Sequence, residues 1–197
     1  MIDSVKTGVK TEKSTVFVCV FCASSDHVSD IYNHTARILG LEIVSRGMTL
    51  LYGGGNNGLM GVLSETIHKG GGRIIGVIPH SLKDLGYGYN KTDEMIVTDG
   101  IRERKAIMEE RADAFIGLPG GFGTLEEMIE IITLKQLAMH DKPIVILNVN
   151  NFYNGLLMQF EKGFEELFIN ERCRRLYHVT DSVSETLDYI EEYRRVR

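Results

Sequence analysis

Residues 115–127, FIGLPGGFGTLEE, decide the fold. An apolar strand runs into Pro119, whose missing N–H cannot continue a sheet ladder, and Gly120, Gly121 and Gly123 open backbone angles closed to other residues. The chain is expected to turn sharply there and to enter a helix over about 125–140, with Thr124 as its cap. Backbone N–H groups and the positive end of a helix dipole then converge on a space that suits a phosphate. Glu126 and Glu127 stand beside that anion nest, a placement that a turn serving structure alone does not explain.

Working outward, the same strand–turn–helix pattern recurs. Residues 16–22, VFVCVFC, read as a strand apolar on both faces, as a central parallel strand is. A helix follows, with Ile31, Ala36, Ile38, Leu39, Leu41, Ile43 and Val44 as its apolar side, closing at Gly47. A second strand over 48–52 leads into GGGNNGLMG and another helix. Here Gly53, Gly55 and Gly58 match GxGxxG between a strand and a helix. A dinucleotide site would want an acidic residue at the end of the next strand, and 73–79, RIIGVIP, has none. A phosphate or sugar against these glycines remains the expectation.

Residues 80–92, HSLKDLGYGYNKT, read as a connection too irregular for a helix, either a lid or a plain surface crossover. A short strand over 94–98 precedes a helix over about 101–112, capped by Thr98 or Asp99, whose first turns carry Arg102, Arg104 and Lys105. Beyond the organising turn come a strand over 143–149, a helix over 152–167, a short strand over 177–180 and a closing helix over 182–193. About seven strands alternating with helices predict a doubly wound, mainly parallel α/β sheet with helices on both faces and ligands beyond the carboxyl ends of the strands. The long helix after the turn is apolar on several faces, which predicts packing against a second copy of the chain.

Length and composition bound the rest. The 197 residues fit one domain over 15–197 behind a loose polar lead-in, 1–14. A net charge of −5 argues against a nucleic-acid surface. No apolar run approaches bilayer length, and MIDSVKTGVKTEKS lacks the apolar core of a signal peptide, so a cytoplasmic protein is expected. Cys19 and Cys22 form a CxxC, but within a strand they point to opposite faces and read as buried thiols. The six histidines lack metal spacing, and neither a GxSxG elbow nor a P-loop lysine is present.

Two groups remain as candidates for chemistry. Glu127 follows Thr124 by three residues, so Thr-x-x-Glu reads equally as a capping box, with Glu126 as a solvated first-turn acid. Against this, a carboxylate about 4 Å from a bound anion costs on the order of 4 kcal/mol at an effective dielectric of 20, unless something cationic lies between them. The oxocarbenium-like sugar formed when a glycosidic bond breaks is such a species. Arg104 and Lys105 have a plain reading too, a solvated helix start with Lys105 paired to Glu109. Two cations at a helix N-terminus, where the dipole disfavours them, nevertheless point to an anion or an electron-rich leaving group.

The stretches YGGGNNGLMG, ERK at 103–105, PGGFGTLEE and HDKP at 140–143 together resemble the Lonely Guy family of cytokinin riboside 5′-monophosphate phosphoribohydrolases. The resemblance implies a Rossmann-like homodimer. It implies hydrolysis of the N-glycosidic bond of an N6-substituted adenosine 5′-monophosphate to free base and ribose 5-phosphate, with water as co-reactant and no cofactor or metal. Arg104 and Glu127 fall on the family's catalytic positions. Lys105, Gly120, Gly121, Phe122, Gly123, Thr124, Leu125, Glu126, Thr133, Gly54, Gly55 and Ser24 are the expected substrate contacts. The chain departs from the family at Ala23, Ile101, Arg102, Gly86 and Leu134, changes that bear on the base and its N6 substituent more than on the phosphate and ribose. A general purine 5′-monophosphate nucleosidase and a non-catalytic carrier akin to the molybdenum-cofactor carriers are the competing expectations. The Arg104 and Glu127 pairing separates catalyst from carrier.

Overall fold

The computed structural model describes residues 15–196. The lead-in expected over 1–14 lies outside them. Within them the chain alternates β1 (Phe17–Phe21), α1 (Asp30–Ser45), β2 (Thr49–Tyr52), α2 (Gly58–Lys69), β3 (Arg73–Pro79), α3 (His80–Asp84), β4 (Glu94–Thr98), α4 (Ile101–Arg111), β5 (Ala114–Gly117), α5 (Phe122–Gln136), β6 (Ile144–Leu147), α6 (Asn154–Glu165), β7 (His178–Thr180) and α7 (Val183–Arg195). Short 3-10 turns at Val149–Asn151 and Glu171–Leu176 flank α6.

The seven strands form one sheet in the order β4-β3-β2-β1-β5-β6-β7, and every pairing is parallel. Alternate residues of the central strands feed two cores. Val18, Val20, Leu50 and Ile116 pack under α1, α2 and α7, whereas Cys19, Leu51, Ile75 and Phe115 pack under α4 and α5. That two-sided burial is why these strands read as continuous apolar runs. Cys19 and Cys22 do fall in different cores, both buried, and burial pushes both thiols up.

Three local expectations need correction. In α1 the buried positions are Ala36, Leu39, Gly40 and Ile43, while Ile31, Ile38 and Leu41 face outward. Residues 80–84 are helical, and the turn after them is tied down: the Asn56 N–H donates to the Tyr87 carbonyl at 2.9 Å, and the Tyr89 N–H to that of Gly54 at 2.9 Å. Helix α4 starts on Gly100 with no side-chain cap. Thr98 Oγ1 instead donates to the Gly100 carbonyl, and the Asp99 N–H to Glu103 Oε2.

Strand order reverses around β1, with β2 on one side and β5 on the other. Such a reversal opens a crevice at the carboxyl ends of the strands. Both Gly-rich turns, after β2 and after β5, open there.

Candidate active site

A cavity of about 590 Å³ occupies that crevice. The loop after β1 lines it with Cys22, Ala23 and Ser24, the turn after β2 with Gly53, Gly55, Asn56 and Asn57, and α2 with Met60. Ile78, Leu82, Tyr87 and Ile101 form another wall, Val20 and Phe21 of β1 lie behind, and Arg104, Gly121, Phe122, Gly123, Thr124 and Glu127 complete the lining.

The organising turn is built differently from its sequence reading. Helix α5 begins at Phe122, with Gly121 as the cap residue, so Thr124 lies inside the first turn and no side-chain cap bond forms. The capping box is therefore absent. Nor do Gly120, Gly121 and Gly123 occupy the left-handed region, which Gly54 and Gly58 do. Their reason is space. A Cβ on Gly120 would lie 2.1 Å from Thr124 Oγ1, whereas one on Gly121 or Gly123 would meet no protein atom and would stand in the open cavity. The first intrahelical bond of α5 runs from the Leu125 N–H to the Gly121 carbonyl. The amides before it have no helical acceptor and meet the cavity wall, the arrangement that binds anions.

Freed from capping, Glu127 sits on the second turn of α5 and accepts a hydrogen bond on Oε1 from Arg104 Nη1 at 2.6 Å. The two side chains are only 12% and 11% exposed. Arg104 is not a solvated helix-start cation. Its Nε donates to the Val77 carbonyl at 2.9 Å, so β3 holds one edge of the fork and α5 another. Burial pushes the Glu127 carboxyl above the usual range, and the Arg104 guanidinium opposes that rise. Glu127 Oε2 and Arg104 Nη2 have no hydrogen-bond partner among the described residues, and both residues line the cavity. The cation that makes a carboxylate tolerable beside an anion nest is, in the resting site, Arg104.

Lys105 pairs with Glu126 and, at 2.9 Å, with Glu130, not with Glu109. Burial opposes its charge, but the two carboxylates outweigh that and hold the ammonium above its ordinary pKa. It zips α4 to α5 one residue from the Arg104–Glu127 pair.

The structure thus brings Arg104, Glu127, Gly121, Phe122, Gly123, Thr124, Gly55 and Ser24 to one cavity. Lys105, Gly120, Leu125, Glu126, Thr133 and Gly54 lie outside its lining. Thr133 is exposed further along α5 and donates to the Ile129 carbonyl. Met60, Leu82 and Tyr87 line the cavity without a signal in the sequence, because apolar side chains at element ends look like core there. Of the departures, Ala23 and Ile101 line the cavity. Gly86 turns with positive φ and its carbonyl accepts from Asn56 Nδ2, and Leu134 packs on the core beneath α4 and α5.

Comparisons with known proteins agree with this architecture. A family model described as possible lysine decarboxylase matches residues 60–190. The chain is 44% identical over 176 residues to the probable cytokinin riboside 5′-monophosphate phosphoribohydrolase LOGL2 of Oryza sativa subsp. japonica, covering 89% of this chain and 72% of that protein. It is 43% identical over 176 residues to cytokinin riboside 5′-monophosphate phosphoribohydrolase LOG3 of Arabidopsis thaliana, covering 89% and 82%. Among solved structures, the molybdenum cofactor binding protein of Rippkaea orientalis superposes with a TM-score of 0.70 at 23% identity, over 90% of this chain and 96% of that one. The molybdenum cofactor carrier protein of Chlamydomonas reinhardtii gives 0.69 at 23%, over 92% and 99%. At that identity the two structures speak for the fold alone. The sequence relatives go further: the chain belongs to the cytokinin riboside 5′-monophosphate phosphoribohydrolase family.

Proposed function

We propose that the protein hydrolyses the N-glycosidic bond of N6-substituted adenosine 5′-monophosphates, releasing the free base and ribose 5-phosphate. The observation that carries this is the buried Arg104–Glu127 pair, 2.6 Å apart, on the wall of a cavity that also contains the Gly-rich start of α5. The 5′-phosphate is assigned to the amides of residues 121–124, where the helix dipole favours it. The ribose then lies toward Glu127, whose free Oε2 faces the anomeric carbon. As the C1′–N9 bond breaks, its electron pair goes to the purine, and the N–H donors of Arg104 stabilise the charge arriving there. The carboxylate stabilises the positive charge left on the sugar. Water adds its hydroxyl to C1′ with Glu127 as the base, and the remaining proton ends on the departing purine.

The apolar wall of Met60, Leu82, Tyr87 and Ile101 is assigned to the base. Two copies are expected to associate through the outward face of α5, where Ile129 and, just beyond the helix, Leu137 and Met139 are exposed. Among the described residues no helix is long and apolar enough to cross a membrane, and the reaction is assigned to the cytoplasm.

The test is to incubate the protein with N6-isopentenyl-AMP, AMP and N6-isopentenyladenosine and to quantify base and ribose 5-phosphate. Hydrolysis of the monophosphates with the riboside barely touched is expected, because binding energy at the phosphate positions the scissile bond. Equal turnover of riboside and monophosphate would sink the phosphate anchor. The ratio between the two monophosphates reports whether the base wall prefers an N6 substituent.

A further inference from the structure

Gly53 belongs to the Gly-rich turn after β2, yet its backbone is not left-handed, so a side chain at 53 meets no conformational objection. The objection is an atom. A Cβ built on Gly53 would lie 2.1 Å from Arg104 Nη2 and 3.2 Å from its Cζ. The Nη2 end of the guanidinium points at the bare Cα of residue 53. Real carbon–nitrogen contacts at 2.1 Å do not occur, so any other residue at 53 must push the fork away.

The remaining restraints on Arg104 define what such a push would break. Val77 holds Nε from β3, and Glu127 holds Nη1 from α5. Nη2 is the one nitrogen without a hydrogen-bond partner among the described residues, and it is the one above Gly53. A Cβ there would force the fork to rotate or withdraw, and at hydrogen-bond range a shift of an ångström removes the 2.6 Å contact to Glu127. No other glycine in the turn does this. Gly55 abuts only the flexible end of Met60, and Gly58 abuts the backbone of residues 23–25.

We propose that Gly53 is a positioning residue: its missing side chain is the seat that lets Arg104 Nη2 lie over residue 53 while Nη1 is held against Glu127. This rests on the catalytic reading of the Arg104–Glu127 pair, but the seat itself is measurable without turnover. Glu127 is faced by Arg104 and Lys105 of α4, by Glu126 on its own helix and by the thiols of Cys19 and Cys22. Of these, only the guanidinium moves when residue 53 gains a methyl group.

The experiment is a double-mutant cycle of Gly53→Ala and Arg104→Ala, read by a carbon-detected NMR titration of the Glu127 carboxyl, by thermal unfolding and by turnover of N6-isopentenyl-AMP. Gly53→Ala alone should raise the Glu127 midpoint and lower turnover by about 100-fold, the usual cost of a lost electrostatic contact. In the Arg104→Ala background the same substitution should change neither, because the atom it collides with is gone. Gly155→Ala, in open space on α6 and remote from the site, is the control and should leave the Glu127 midpoint and turnover unchanged. If Gly53→Ala unfolds the protein, the double variant should fold. Equal damage by Gly53→Ala with and without Arg104, or a wild-type Glu127 midpoint in the single variant, would overturn the proposal. If the wild-type protein fails to hydrolyse the nucleotide while the titration cycle behaves as described, the function fails and the seat stands.

Discussion

At the scale of the residue, the balance between burial and pairing at Glu127 governs how the site responds to pH. Burial raises its pKa and Arg104 opposes the rise. A carboxyl whose folded pKa exceeds its unfolded value binds protons more tightly in the native state. Its ionisation therefore costs stability as pH rises through that interval. Arg104→Ala removes the opposing charge and widens the interval. The variant should match wild type in denaturant unfolding near pH 4 and fall behind at pH 7 by on the order of 3 kcal/mol, the scale of breaking a buried pair. An equal deficit at both pH values would mean that Arg104 contributes by packing and not by charge. In the sequence, only the family resemblance names Arg104 and Glu127 together. Arg104 and Glu127 are 23 residues apart, and each has a bland local explanation, a solvated helix start for one and a capping box for the other. Only the tertiary contact discriminates, and local spacing does not contain it.

Among the elements, the strands were the most legible, since two-sided burial leaves a continuous apolar run, and the caps the least. The start of α5 was misplaced by three residues because a Gly-Phe-Gly run, rich in a poor helix former, reads as loop, whereas here Gly121 is the cap residue and Gly123 lies in the first turn. The segment after β3 was misread as irregular for a related reason: its order comes from elsewhere. Tyr89 donates its hydroxyl to Glu65 Oε2 on α2 at 2.6 Å, and the neighbouring backbone bonds to residues 54 and 56 close the turn that presents Tyr87 to the cavity. The Tyr89 hydroxyl, helped by Lys69 and Lys91, holds the Glu65 carboxyl at about 2. A depressed folded pKa contributes stability above the unfolded value, and that contribution is lost as pH falls from about 4.5 toward 2. Hydrogen-exchange protection of the Tyr89 and Asn56 amides should accordingly fall in that window, and Tyr89→Phe should move the loss to higher pH. Protection that stays flat through the window would show that the turn does not depend on this bond.

For the whole molecule, the sheet order explains why one cavity can exist at all. The reversal around β1 brings two separate Gly-rich turns to one crevice, and α4, crossing from β4 to β5, delivers Arg104 between them. Apolar breadth in α5 was the sequence signal for a second copy, and the exposed Ile129, Leu137 and Met139 are what such a copy would cover. Light scattering at micromolar concentration should report a dimer, and Leu137→Glu together with Ile129→Glu should convert it to monomer. A wild-type monomer would contradict the assignment of that face.

The central claim is that the Glu127 carboxylate acts on the reacting bond, and the most direct measurement is single-turnover hydrolysis of N6-isopentenyl-AMP by Glu127→Gln. The amide keeps the shape, and its oxygen can still accept from Arg104 Nη1, so folding and nucleotide binding should persist. What it lacks is the charge that stabilises the developing oxocarbenium and the basicity that takes a proton from water. A folded, nucleotide-binding protein whose rate falls at least about 100-fold is the expected result. Near wild-type hydrolysis by that variant would contradict the account and leave Glu127 as a structural partner of Arg104.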